Sequence, residues 1–160
     1  MDIRLVDATE QDVPLIVRLI KDLARYEKLE HEVVATEESV RDSLFVKRAA
    51  ETVLAYADGE PAGYAMFFQT FSTFKGLPGM YLEDLYVEER FRGHGIGRLL
   101  LTHLARIAVA RGCGRMDWAV LDWNAPAIGF YKTLGAAPVD DWTIFRLKGE
   151  PLRKLAEKNV

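Results

Sequence analysis

A glycine-rich run in the second half of the chain restricts the possible folds more than any other feature. It reads Arg92-Gly93-His94-Gly95-Ile96-Gly97 and lies between a predicted strand and an amphipathic segment that predicts a helix. Glycine tolerates positive φ and lets the backbone approach a ligand closely, and the amino end of a helix attracts anions. We therefore expect this loop to hold phosphate groups, with Arg92 and Arg98 adding positive charge.

Other loops of this kind have different sequences. The spacing Arg-x-x-Gly-x-Gly is not the Gly-x-Gly-x-x-Gly of dinucleotide-binding folds, and the run lies past the middle of the chain rather than in a first strand-helix unit. The Gly-Lys-Ser/Thr ending of nucleotide triphosphatases is absent. A turn with a purely structural role remains the alternative.

Hydrophobic periodicity predicts six strands and four helices. The strands are predicted at 3–6, 52–56, 62–68, 80–87, 115–121 and 143–147, and 71–79 is predicted as a loop. The helices are predicted from Asp12, as a cap, to Tyr26, from Thr36, also as a cap, to Phe45, from Ile96 to Ala108 and from Ala125 to Leu134. Asp58-Gly59-Glu60-Pro61, between the second and third strands, predicts an antiparallel hairpin. Hairpins and crossover helices together predict an α/β fold with a mixed, mainly antiparallel sheet flanked by helices.

Length and composition indicate one globular domain, residues 1–160. Hydrophobic residues make up 49% of the chain and charged residues 28%, which is unlike disordered or membrane-spanning proteins. The first residues alternate polar and apolar side chains, so we expect no secretory signal, no membrane partner and a cytoplasmic location. Cys113 is the only cysteine, which rules out an internal disulfide, and we expect no metal site. The net charge of −3 disfavours nucleic acid as a partner.

Four further segments, together with the loop, resemble the Gcn5-related N-acetyltransferases (GNAT), in particular the spermidine/spermine (diamine) and thialysine branch. They are Leu19–Glu27, Tyr81–Val87, Trp123–Pro126 and Phe130–Lys132, and they follow the family's order. The resemblance implies a GNAT-like fold and acetyl-CoA as co-substrate. It also implies a small amine as acceptor, direct transfer in a ternary complex and a homodimer.

The resemblance assigns the donor side to three segments. The strand before the loop would pair its backbone with pantetheine, the loop would hold the pyrophosphate, and Asn124, an evident N-cap, would also bond pantetheine. The predicted acetyl-CoA-binding residues are Leu85, Tyr86, Val87, Arg92, Gly93, His94, Gly95, Ile96, Gly97, Arg98, Asn124, Pro126 and Ala127.

Two residues are predicted to carry the chemistry. An amine with a pKa of about 10.4 is almost wholly protonated at neutral pH, so the enzyme must remove a proton before attack. Glu83 is the candidate base, and the resemblance suggests that it acts through ordered water. Tyr131 is the candidate acid for the departing thiolate, as the matching tyrosine is in the family. The alternatives are a solvated Glu83 at a sheet edge and a Tyr131 that packs in the core.

The acceptor is expected to contact Tyr26, Glu27, Glu83 and Asp84, and the segment with Asp140 and Trp142 is expected to reach a partner subunit. Strand alternation directs Glu83 and Asp84 to opposite faces, unless a bulge intervenes. A solvated helix end is the alternative for the acidic residues after Tyr26.

The loop at 71–76 lacks the acidic residue and tryptophan of polyamine-specific members and carries Lys75. This difference favours thialysine or a lysine-like amino acid over a long polyamine. Protein or peptide N-acetylation and a non-catalytic sensor that binds acyl-CoA remain the competing functions.

Overall fold

A computed structural model describes residues 1–158 of the chain. The chain divides into two compact units, Met1–Leu121 and Asp122 onward. The strands are β1 (Ile3–Asp7), β2 (Glu51–Ala57), β3 (Glu60–Ser72), β4 (Leu77–Val87) and β5 (Met116–Trp118). The helices are α1 (Val13–Tyr26), α2 (Glu37–Arg41), α3 (Ile96–Ala110), α4 (Ala125–Thr133) and α5 (Gly149–Glu157).

All five strands form one sheet in the first unit, in the order β1-β2-β3-β4-β5. The first four pair antiparallel with their neighbours, while β5 runs parallel to β4. The parallel pair needs a crossover, which the segment carrying α3 supplies. The predicted mixed, mainly antiparallel sheet is confirmed.

Each face of the sheet is covered by helix. Leu54, Tyr64 and Met66 belong to the core formed with α1 and α2. Because side chains alternate along a strand, the intervening Ala55 and Ala65 face the other side, and α3 packs against β2, β3 and β4 there. These two faces hold most of the fully buried side chains.

The β3-β4 hairpin is longer than predicted. Pairing continues to Phe71 with Pro78 and Ser72 with Leu77, so most of the predicted loop at 71–79 is strand. The glycines and proline there indicated a loop, but only residues 73–76 form the turn. Phe74 lies at its tip and is 97% exposed.

Helix ends agree with their predicted caps in two of three cases. The N–H of Ser39 donates to Thr36 Oγ1 at 3.1 Å before α2, and the N–H of Ala127 donates to Asn124 Oδ1 at 3.3 Å before α4. Asp12 precedes α1, but its carboxylate accepts the N–H of Thr9 at 2.7 Å instead. It therefore closes the turn before the helix rather than the helix itself.

The second unit departs most from prediction. The expected strand at 143–147 does not form, whereas in the first unit the predicted strand 115–121 only shortens to β5. Residues 122–158 contain no other strand with which 143–147 could pair inside the unit, and strand propensity alone does not satisfy backbone hydrogen bonds. The helix α5 was not predicted. Glu150 and Lys154, four residues apart, form an ion pair of 3.6 Å there, a spacing that favours a helix.

Candidate active site

Two glycines give the loop before α3 its shape. Gly93 and Gly95 both have a φ of 80°, in the left-handed region that other residues enter only with strain. The first helical bond of α3 joins the N–H of Leu99 to the carbonyl of Gly95 at 2.9 Å. The amides of Ile96 and Gly97 therefore have no acceptor within the helix, as anion binding at a helix N-terminus requires.

The edge of β4 opens just before this loop. β5 pairs only with Met80–Leu82, so Leu85, Tyr86 and Val87 pair with β3 alone among the strands that the structure describes. An extended ligand that carries amide groups can add to such an edge. The predicted pantetheine-pairing residues lie on this open edge.

A β-bulge separates the two candidate carboxylates. Met66 pairs with Asp84 and Phe67 with Leu82, which leaves Glu83 without a partner in β3. Simple alternation therefore fails here. The bulge leaves Glu83 exposed and Asp84 half-buried.

Asp84 accepts a hydrogen bond from a buried tyrosine on the neighbouring strand. The hydroxyl of Tyr64 donates to Asp84 Oδ2 at 2.8 Å, and Tyr64 is 0% exposed. Burial raises the pKa of Asp84, the charge of Glu83 raises it further, and the Tyr64 hydrogen bond opposes both effects. Burial and Asp84 in turn raise the pKa of Tyr64 well above its usual value. Tyr64 therefore stays a hydrogen-bond donor.

Glu27 lies near Asp84, at the end of α1. The N–H groups of Lys28 and Leu29 donate to the carbonyls of Arg25 and Ala24 at 3.1 and 2.8 Å, a Schellman ending with Lys28 at a φ of 61°. This ending fixes the backbone on both sides of Glu27. Burial raises the pKa of Glu27, and the charge of Asp84 raises it further.

The carboxylates of Glu27 and Asp84 have no basic side chain as an ion-pair partner among the described residues. Within residues 1–158, neither forms an ion pair with a Lys, Arg or His side chain. Glu30 and Glu32, by contrast, are exposed and lie near Arg25 and His31 at 3.4 and 3.6 Å. Of the acidic stretch after Tyr26, only Glu27 is half-buried beside the bulge.

The side chain of Arg92 contacts β4 and the end of α1. Its Nε donates to the carbonyl of Val87 at 2.9 Å. Its guanidinium carbon lies 4.6 Å from the ring centre of Tyr26 and 5.7 Å from that of Tyr86. His94 contacts the carbonyl of Phe91 through Nδ1 at 3.3 Å, and Arg98 is exposed in the first turn of α3.

The remaining predicted residues belong to the second unit. Asn124 is 7% exposed and caps α4, whose first turn contains Pro126 and Ala127. Tyr131 is half-buried in α4, with its ring centre 5.7 Å from that of Phe130. Asp140 and Trp142 are exposed.

Tyr64 is the residue that the sequence did not indicate. Its contact with Asp84 joins two strands and depends on the register that the bulge sets, which no local pattern reveals. Among residues 1–158, no three His, Cys, Asp or Glu side chains cluster as a metal ion would require. None of the helices in the same range is both long and apolar enough to cross a membrane.

Comparison with known proteins agrees with this geometry. The acetyltransferase (GNAT) family model matches residues 16–136. The thialysine N-epsilon-acetyltransferase of Bos taurus is 39% identical over 165 residues, covering 95% of this chain and 96% of that protein. The L-ornithine N5-acetyltransferase NATA1 of Arabidopsis thaliana is 31% identical over 199 residues, covering 96% and 87%.

Solved structures show the same fold. An integron cassette protein from the mobile metagenome of V. cholerae superposes with a TM-score of 0.83 and 28% identity, covering 99% of both chains. The family match and the relatives establish the chemistry as transfer of an acetyl group from acetyl-CoA. This chain belongs to the GNAT family of acetyltransferases.

Proposed function

We propose that this enzyme acetylates the side-chain amine of a small amino acid such as thialysine, lysine or ornithine. The observation that carries the proposal is the half-buried carboxyl pair of Glu27 and Asp84, which has no cationic partner among the described residues. An ammonium group would satisfy both carboxylates and lower their raised pKa values. The relatives named for thialysine and ornithine act on amino acids that carry such an amine.

The donor side fits acetyl-CoA. The open edge at Leu85–Val87 would pair with pantetheine, and the loop from Gly93 to Gly97 would receive the pyrophosphate. Asn124, Pro126 and Ala127 are proposed to border the pantetheine arm. Acetyl-CoA supplies an acyl group activated as a thioester.

Two groups are proposed to move protons. Glu83 takes a proton from the ammonium through water, since it is exposed at the bulge, while Asp84 holds the nitrogen in place. The amine nitrogen then bonds to the acyl carbon as the carbon-sulfur bond breaks. The hydroxyl of Tyr131 donates its proton to the departing sulfur, and the second proton that the nitrogen loses as the amide forms passes through solvent to restore the phenol.

A thiol-release assay tests the acceptor class. Acetyl-CoA is supplied with thialysine, lysine, ornithine, spermidine or a peptide with a free N-terminus. We expect the amino acids to release thiol with the highest kcat/KM. A preference for spermidine or for the peptide would contradict the proposal, and binding of acetyl-CoA without thiol release from any amine would indicate a sensor.

A phenylalanine at position 131 tests the proposed acid. We expect Tyr131→Phe to lower kcat about 100-fold, within the range typical of general acids, while the affinity for acetyl-CoA changes little. The matched control adds Phe130→Tyr to Tyr131→Phe. It restores a phenol one residue away, where we expect it not to replace Tyr131. An unchanged kcat in Tyr131→Phe would remove Tyr131 from its role.

We also propose that residues 1–160 act as one acetyltransferase domain and as a homodimer. The family model runs across both units. The second unit exposes large apolar side chains that a second copy could cover, namely Trp123, Val139, Trp142, Ile144, Phe145, Leu147, Leu152 and Leu155. Light scattering should give twice the chain mass, and a monomer at micromolar concentration would contradict this.

Asp140 and Trp142 are proposed to complete the acceptor site of the partner subunit. Mixing Asp84→Asn protein with Trp142→Ala protein should then restore activity, because some mixed dimers contain one intact site. A mixture no more active than its parts would contradict this. We expect a cytoplasmic location and neither a lipid surface nor nucleic acid as partner, the last supported by the net charge of −3.

A further inference from the structure

Arg92 contacts residues of both proposed substrate sites. It is the first residue of the glycine loop, yet its Nε donates to Val87 on the open edge of β4. Its guanidinium lies over Tyr26, the last residue of α1, within the range of a cation-π contact. One side chain therefore joins the loop, the strand and the end of α1.

The position of Arg92 depends on the conformation of the loop. Gly93, the next residue, has a φ of 80°, so the direction in which Arg92 leaves the loop follows from the left-handed turn. The Val87 carbonyl and the ring of Tyr86 fix the guanidinium from the strand side. Because the loop sets the position of the Arg92 backbone, its rearrangement would weaken these contacts and the one with Tyr26 together.

The position of Tyr26 in turn bears on Glu27. Tyr26 is followed directly by Glu27, whose N–H donates to the carbonyl of Leu23 at 2.9 Å in the last turn of α1. Lys28 then reverses the chain in the left-handed conformation. A shift of Tyr26 would therefore displace Glu27 relative to Asp84.

We infer that Arg92 is a positioning residue that couples the donor loop to the acceptor site through Tyr26. The inference rests on the proposed function for the identity of the two sites. When the loop is held in the conformation that receives the donor, Arg92 also holds the end of α1 against β4. By linkage, a residue on the acceptor side must then contribute to donor affinity.

Calorimetric titration with CoA tests this coupling and requires no acceptor. The variants are Tyr26→Leu, which removes the aromatic face, and Tyr26→Phe, which keeps it. They are compared with Arg92→Gln, which removes the charge, and with the double variant Tyr26→Leu/Arg92→Gln. We expect Tyr26→Leu to weaken CoA binding about two- to fivefold, as an exposed cation-π contact predicts. Tyr26→Phe should bind like the wild type.

The double variant separates coupling from a general structural effect. In the Arg92→Gln background, Tyr26→Leu should cause no further loss, because the cation that contacts the ring is already gone. Thermal unfolding without ligand identifies a variant that does not fold, in which case Tyr26→Gln takes its place in the same comparison. Both substitutions lose the ring face, so the expected loss is the same.

Three results would overturn the inference. They are wild-type CoA affinity in Tyr26→Leu, equal weakening in Tyr26→Leu and Tyr26→Phe, and a loss in the Arg92→Gln background as large as in the wild type. If the wild-type protein itself fails to bind CoA, the proposed donor site fails as well. The failure of the inference alone is thus distinguishable from the failure of the proposed function.

Discussion

The proposed donor loop, from Gly93 to Gly97, and the proposed acceptor site, the carboxyl pair of Glu27 and Asp84, differ in how each would recognise charge. The loop from Gly93 to Gly97 is continuous in sequence and presents backbone amides in a conformation that glycine permits. The carboxyl pair is assembled from the end of α1 and the bulge in β4, and Tyr64 donates a hydrogen bond to Asp84. A backbone site of this kind suits a donor that a whole family shares, whereas an assembled side-chain site can change with the acceptor.

The largest expected effect is on the acceptor side, at Asp84. Asp84→Asn removes the charge but keeps an oxygen that can accept from Tyr64. We expect kcat/KM for thialysine to fall about 10- to 100-fold, since a hydrogen bond between charged groups contributes about 1.5–3 kcal/mol. The KM for acetyl-CoA should stay within about twofold. Steady-state kinetics measures both, and an equal loss of donor affinity would contradict the separation of the two sites.

Glu83→Gln is the matched control for Asp84→Asn. If Glu83 only takes a proton, the loss should shrink as the pH rises, because more of the amine is then neutral without help. A loss in kcat that is constant across pH would show that Glu83 positions the acceptor instead.

The next effect concerns the donor side. Gly95 and Gly59 have φ values of 80° and 82°, and a Cβ at either would meet no atom within 4 Å. Alanine at either position should destabilise the fold by about 1–2 kcal/mol through backbone strain alone. Only Gly95→Ala should also weaken CoA binding, by up to about tenfold, as the loop leaves the left-handed conformation. Equal CoA affinity in both variants would mean that the loop conformation does not matter for the donor.

Tyr64→Phe should have a smaller effect with a distinctive pH dependence. The Tyr64 hydrogen bond lowers the pKa of Asp84, so its loss lets burial and Glu83 raise that pKa further. If ionised Asp84 binds the ammonium, the acidic limb of kcat/KM moves to higher pH, and activity falls at the pH values of that limb. The pH profile measures this, and a reduced activity with an unmoved limb would indicate a packing defect only.

The smallest effect is on stability and lies outside both sites. Arg111 donates two hydrogen bonds of 2.6 and 2.8 Å to Glu51. These hydrogen bonds are the main cause of the lowered pKa of Glu51. The stabilisation is therefore complete above about pH 4.5 and lost as the pH falls through the lowered pKa. Because the pair is half-exposed, Glu51→Gln should cost about 1 kcal/mol or less at pH 7, with kcat/KM unchanged. Urea unfolding should show a larger difference at pH 7 than at pH 3.

The sequence predicted what local chemistry determines. The glycine loop, the capping residues Thr36 and Asn124 and the hairpin at Gly59 depend on neighbours in the chain, and they form as expected. The bulge at Glu83 depends on pairing between strands, so the contact of Tyr64 with Asp84 could not be predicted. The segment 143–147 has strand propensity but no partner strand in its unit. Its charge and the family motif predict that Arg92 lies beside phosphate, whereas its stacking on Tyr26 depends on where α1 ends.

A double-mutant cycle on kcat/KM for thialysine tests the central claim most directly. If Glu27 and Asp84 hold the same ammonium group, Glu27→Gln and Asp84→Asn should each reduce kcat/KM, and the double variant should lose less than the product of the two losses. Their coupling would identify the carboxyl pair as one acceptor site. A double variant that acetylates thialysine with the wild-type kcat/KM would contradict the account.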